Sequence, residues 1–119
     1  MDDIRLNGRL LFKPEDYEEV AGICEKNATD ARKHPGIVEY SFWANGNRDT
    51  IYIHEHYENP EVLLNHLQNM DEAAVGRLLE IVELGTMECC TGPDPDPRVT
   101  ETLAGFGVPI NVYGPVASR

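Results

Sequence analysis

From Ile4 to Cys90 the spacing of apolar residues switches from a period of two to a period of 3.6 and back, twice over, and this order restricts the available folds more than any single motif. Residues 4–13, IRLNGRLLFK, set Ile4, Leu6, Gly8, Leu10 and Phe12 against Arg5, Asn7, Arg9 and Leu11, which is the alternation of a strand. Pro14, followed by Glu15 and Asp16, opens a run in which Tyr17, Val20, Ala21, Cys24, Ala28 and Ala31 recur at helical spacing. His34-Pro35-Gly36 stops it. Residues 37–45 and 49–57, IVEYSFWAN and DTIYIHEHY, are β-rich and joined around Asn45-Gly46-Asn47, which predicts a hairpin. Asn59 and Pro60 then supply a cap and a first-turn proline for a helix carrying Leu63, His66, Leu67 and Met70. Asp71 caps its continuation, with Val75, Leu78, Leu79 and Val82 inward and Gly85 as the stop.

After this, TMECCT at 86–91 predicts a fourth strand, and GPDPDPR at 92–98 is a turn-rich break. A one- to two-turn helix ending at Gly105, a short strand from Ile110 to Tyr113 and a loose tail complete the chain. The order β-α-β-β-α-β is the ferredoxin-like split βαβ arrangement, an α+β fold in which helices cover one face of a four-stranded antiparallel sheet. Residues 1–92 form this domain, and 93–119 are an extension packing on the same domain or on a partner subunit. The sheet's other face is left open. Tyr40, Phe42, Trp43 and Tyr52 all lie in the hairpin, and those that point away from the helices form an apolar patch that a monomer rarely exposes, so a homodimer through the open face is expected.

Composition removes several classes of function. A chain of 119 residues builds one core. With a net charge of −11 and no basic stripe it repels a phosphate backbone, so nucleic acid is not an expected partner. No apolar run approaches the length of a membrane span, and the acidic start MDD is the wrong polarity for a secretory leader. Cys24, Cys89 and Cys90 make neither a disulfide framework nor a CxxC ligand pair, and together these features fit a reducing cytoplasm. No basic neighbour marks any of the three as an activated thiol.

The chemistry concentrates in residues 49–67, DTIYIHEHYENPEVLLNHL, which hold three of the four histidines. Glu55 shares its strand face with Ile51, Ile53 and Tyr57, so if that face packs on the helices its carboxylate leaves water and must be paired or protonated. His66 stands among Leu63, Leu67 and Met70 on the face its helix buries, which makes it the natural partner. A Glu55–His66 hydrogen bond either ties helix to sheet or orients a base working near neutral pH; both roles fit. His54 and His56 point to the opposite strand face. Such a pair binds zinc or iron if a third ligand converges, and otherwise makes a polar face or a dimer contact. Arg5 and Arg9 share a face with Asn7 and suit an anionic ligand or an inter-subunit ion pair.

A helix ending in His34-Pro35-Gly36, a strand with Tyr40, a strand closing on Glu55-x-Tyr57, and a helix with an inward histidine in NPEVLLNHL together resemble the antibiotic biosynthesis monooxygenase family over residues 4–92. The resemblance implies a dimeric α+β barrel, two sheets packed face to face, with a pocket in each protomer between sheet and helices. It also implies oxygenation of quinol-type, phenolic or polycyclic aromatics without flavin, haem or metal, with His66 as base, Glu55 orienting it, and Tyr57, Tyr40, Trp43 and Asn7 shaping the slot and its polar contacts. A non-catalytic dimer that binds a small apolar or aromatic ligand, and a metal enzyme using His54 and His56, remain as alternatives. Haem-degrading members carry an Asn on the first strand, a Trp on the helix after the hairpin and a His about ten residues on. Here Asn7 matches the first, while His66 and Gly76 stand in the other two places, which disfavours haem cleavage.

Overall fold

A computed structural model describes residues 3–117; positions 1–2 of the expected domain and 118–119 of the expected extension lie outside them. Strand β1 (Ile4–Leu11) runs through the middle of the sheet and pairs antiparallel with β3 (Thr50–Tyr57), from Ile4 opposite Tyr57 to Leu11 opposite Thr50. The edge strand β2 (Ile37–Ala44) pairs with β3, with one irregularity between Ile37 and Glu39. On its other side β1 takes β5 (Met87–Cys90) and, at its far end, the two-residue β4 (Glu83–Leu84). Strand β6 (Ile110–Tyr113) forms the second edge and runs parallel to β5.

The α+β, ferredoxin-like expectation therefore holds, with two corrections. Among the described residues the sheet has six strands and is mixed, in the order β2-β3-β1-β5-β6 with β4 beside β1. A helix, α4 (Pro97–Ala104), lies between β5 and β6 and carries the chain back to its starting end, which a parallel neighbour requires. The second correction concerns the helix expected to reach Gly85. It ends at Ile81, and Val82 is already extended (φ −117°, ψ 155°), because Glu83 and Leu84 pair with β1 instead.

The helices follow their local signals. Pro14–Asp16 make a 3₁₀ turn that leads into α1 (Tyr17–Ala31), whose buried stripe is Val20, Cys24, Asn27 and Ala31. The Asn59 side chain accepts from the Val62 amide at 3.0 Å to start α2 (Pro60–Gln68). Asp71 accepts from the Ala74 amide at 3.1 Å to start α3 (Glu72–Ile81), and Asp96 caps α4 through the Arg98 amide at 2.9 Å. Gly36, in the turn before β2, lies so close to α2 that a Cβ there would sit 2.6 Å from a Val62 methyl.

Two apolar clusters form the core. One gathers Ile4, Leu6, Tyr57, Leu63 and Cys89 with Val99 and Leu103 of α4. The other gathers Leu10, Val20, Cys24, Ile51 and Leu78. Val99 and Leu103 are fully buried, and at about 1.5–3 kcal/mol each their burial makes the C-terminal segment part of the same core. The opposite sheet face carries Trp43, Tyr52, Leu11, His54, His56, Arg5, Asn7 and Arg9, brought side by side by the strand registers. Trp43, 63% exposed, stands opposite Tyr52, 39% exposed. Among the described residues no helix is long and apolar enough to cross a membrane.

Candidate active site

Between the two core clusters lies a cavity of about 100 Å³, bounded by Leu6 and Leu103 from one and Leu10 and Leu78 from the other. Its walls are apolar except for Asn27, Tyr40, Glu55 and His66. An apolar space with a few converging polar groups is the usual form of a small-molecule site.

The period of two sends Glu55 and Tyr57 to the same face of β3. Glu55 is 9% exposed and Tyr57 is fully buried. The Tyr57 hydroxyl donates a hydrogen bond to the Glu55 carboxylate. Burial pushes the Glu55 carboxyl up to about 7, with the Tyr57 bond pulling the other way, so this acid changes protonation near neutral pH. The Tyr40 and Tyr57 phenols are both held well above their ordinary range, first by burial and then by the nearby Glu55.

His66 enters from the last turn of α2. Its ring meets Tyr40 edge-on, with centroids 4.8 Å apart, and lies 5.8 Å from the Tyr57 ring. Its Nε2 is buried and has no hydrogen-bond partner among the described residues. Burial, reinforced by His34, lowers its proton affinity, so at neutral pH the imidazole is uncharged. A neutral ring in that setting can take a proton from a bound molecule.

The expected direct Glu55–His66 hydrogen bond is not made. The carboxylate takes Tyr57, two residues along its own strand face and within reach without any helix docking, while His66 packs on aromatic rings. Of the six residues read from the sequence, His66, Glu55 and Tyr40 line the cavity, while Tyr57, expected in the slot, is packed in the core and reaches the site only through its contacts with Glu55 and the His66 ring. Asn7 and Trp43 do neither. Asn7 sits opposite His54, and Trp43 opposite Tyr52, on the open face. The Trp43 indole N–H donates to Ser41 at 3.1 Å. Asn7, the one residue matching the haem-degrading pattern, thus faces away from the cavity.

Sequence reasoning passed over Asn27, which is 8% exposed on the inner stripe of α1 and lines the cavity with His66. The signal was its spacing, three residues after Cys24 and four before Ala31. His54 and His56 each meet a separate acid, Glu39 at 3.7 Å and Asp3 at 3.0 Å. Among the described residues no group of three or more His, Cys, Asp or Glu side chains converges as a metal site requires. Burial raises the Cys24 thiol to about 12 and the Cys89 thiol to about 11, which leaves both as packing residues.

The solved structures with this architecture include MupZ from Pseudomonas fluorescens, 19% identical with a TM-score of 0.82, over 100% of this chain and 96% of that one. A conserved protein from Bacteroides thetaiotaomicron is 24% identical with a TM-score of 0.66, over 74% of this chain and 95% of that one. SnoaB, a cofactor-independent oxygenase from Streptomyces nogalater, is 11% identical with a TM-score of 0.64, over 82% of this chain and 99% of that one. At these identities the likeness is one of fold, and the match to MupZ extends through the C-terminal segment. No curated protein sequence matches the chain. The sequence profile described as antibiotic biosynthesis monooxygenase matches residues 3–75, more than half of the chain, and the protein belongs to that family.

Proposed function

We propose that this protein is a cofactor-independent monooxygenase acting on a phenolic or quinol-type aromatic held between the sheet and the helices. The observation that carries this reading is a neutral histidine whose buried Nε2 has no partner among the described residues, set in an apolar cavity beside Glu55 and Tyr40 with Tyr57 against its ring. An electron-rich phenol needs chiefly deprotonation before it reacts with oxygen. His66 takes that proton at Nε2. In an anthrone-like substrate the ring methylene becomes a carbonyl, one atom of O2 enters the product and the other leaves as water. SnoaB, which shares the fold, is a cofactor-independent oxygenase.

The cavity is smaller than the roughly 150 Å³ that holds benzene in an engineered core, so ligand entry requires a wall to move. One wall able to do so is α3, which contributes Val75, Leu78 and Leu79 to the lining. Exposed ion pairs hold α3 to α1, Lys26–Asp71 at 2.6 Å and Arg77–Glu19 at 2.6 Å, and such pairs resist opening only weakly. The working unit in this reading is a homodimer that covers Trp43, Tyr52 and Leu11 with a second copy.

The test is oxygen uptake by metal-stripped protein with a panel of hydroquinones and anthrone-like aromatics, comparing wild type with His66→Phe, the dimer being checked in each by light scattering. Phe keeps the ring and removes the base. Loss of at least a hundredfold in rate is expected, in line with the usual contribution of a positioned base. Uptake unaffected by the substitution removes His66 from the chemistry. No uptake by wild type across the panel favours the ligand-binding reading instead.

A further inference from the structure

A base alone does not hold a phenolate. The oxygen that loses its proton also needs a donor. Tyr57 is committed to Glu55, and Trp43 and Asn7 face the other side of the sheet. Besides His66, two polar side chains of the cavity wall enter no side-chain hydrogen bond among the described residues, Tyr40 and Asn27, and the Tyr40 ring is already packed edge-on against His66. Asn27 is more than nine-tenths buried, yet its amide takes part in no side-chain hydrogen bond among the described residues. By contrast Asn45, Asn59, Asn65 and Asn69 all use their side chains in such bonds.

Its position is informative as well. Behind His66 lies a second, smaller space of about 50 Å³, edged by Asp30, His34, Asn69 and Asp71. Asn27, His66 and Met70 line both this space and the inner cavity, so these three side chains form the partition between them. An oxygen lodged at that partition borders both Asn27 and His66, whose Nε2 is unpartnered among the described residues.

We infer that Asn27 is the substrate-oxygen contact of this site: its Nδ2–H₂ donates to the phenolic oxygen that His66 deprotonates. The inference rests on the reading that the cavity takes a phenolic ligand. An amide suits the task because it stays neutral over the working pH range and donates to an anion without competing for its proton. It also explains a choice that folding alone does not favour. A leucine of similar size would fill the same place on the buried stripe of α1 and bury more apolar surface there.

That opposition supplies the test, which uses the full-length protein and two variants, Asn27→Leu and Asn27→Ala. Thermal unfolding is measured without ligand. Binding of 4-nitrophenol, a single-ring probe whose phenolate absorbs in the visible, is followed by titration at about pH 8. The expected result is that Asn27→Leu melts roughly 2–6 °C above wild type, while both variants bind the probe roughly ten- to a hundredfold more weakly and lose the wild-type shift of the phenolate band. A lower melting temperature in both variants overturns the assignment, because it means the amide holds the fold together. Unchanged probe affinity in either folded variant also overturns it. If wild type does not bind the probe at all, the phenol-site reading itself fails and takes the role of Asn27 with it. Equal binding by wild type and variants removes Asn27 alone.

Discussion

Replacing Glu55 with Gln removes an ionisable group from the wall of the cavity while nearly keeping its shape. In the unfolded chain this carboxyl ionises near its ordinary 4.5, whereas in the folded protein burial raises it to about 7 against the opposing pull of the Tyr57 hydrogen bond. Between those two values the unfolded chain has released a proton that the folded chain still holds, so stability falls as pH rises. The favourable contribution is fully present below pH 4.5 and is lost as pH passes through about 7. The interval, at 1.36 kcal/mol per pH unit, corresponds to about 3 kcal/mol, a large share of the roughly 5–15 kcal/mol that stabilises a typical domain. Urea denaturation of wild type and Glu55→Gln at fixed protein concentration, stepped from about pH 4 to 8, measures it. Taking the difference between the two proteins cancels the other titrating groups. The Gln variant should gain on wild type by about 1.4 kcal/mol per pH unit across the window and level off above it. A difference that does not change with pH refutes the reasoning, since it means that Glu55 ionises in the folded protein as readily as in water.

Three further outcomes follow from the same contacts. Tyr57→Phe removes the bond that favours the ionised carboxylate, so the upper end of the Glu55 window should move above 7 in the same urea series. His66 is depressed by burial and by His34, so its contribution to stability is present above 6.5 and is lost as pH falls toward its folded value. His34→Gln should raise the His66 titration in ring-proton NMR, by less than the full depression because burial remains. Gly36→Ala places a Cβ 2.6 Å from a Val62 methyl and should cost about 1–3 kcal/mol, and in a double-mutant cycle Val62→Ala should recover most of that loss.

Much of this fold was legible because strand and helix periods are local. The alternation of β3 alone sends Glu55 and Tyr57 inward and His54 and His56 outward, and the registers agree. Asn59 and Asp71 cap helices as their positions before Pro60 and Glu72 suggest. The alternation of β1 likewise groups Asn7 with Arg5 and Arg9, away from Leu6. It was the resemblance, and not the strand pattern, that drew Asn7 toward the cavity. Trp43 was harder to place, because β2 carries aromatics at 40, 42 and 43 and its pairing shifts between Ile37 and Glu39, so which of them faces inward depends on the neighbouring strand.

The sequence by itself determined where most of the strands and helices lie, which face of each is apolar, and that a carboxylate and a histidine occupy inward positions. Each of these is set within a few residues by backbone geometry and side-chain spacing. Only the tertiary structure decided that Glu55 bonds to Tyr57 and not to His66, that β6 returns parallel to β5, and that Asn27 and His66 share a partition between two spaces. Hydrogen-bond choice and proton affinity depend on what surrounds a group once distant segments have packed around it, and the enclosing walls here come from α1, α2, α3, α4 and the sheet together.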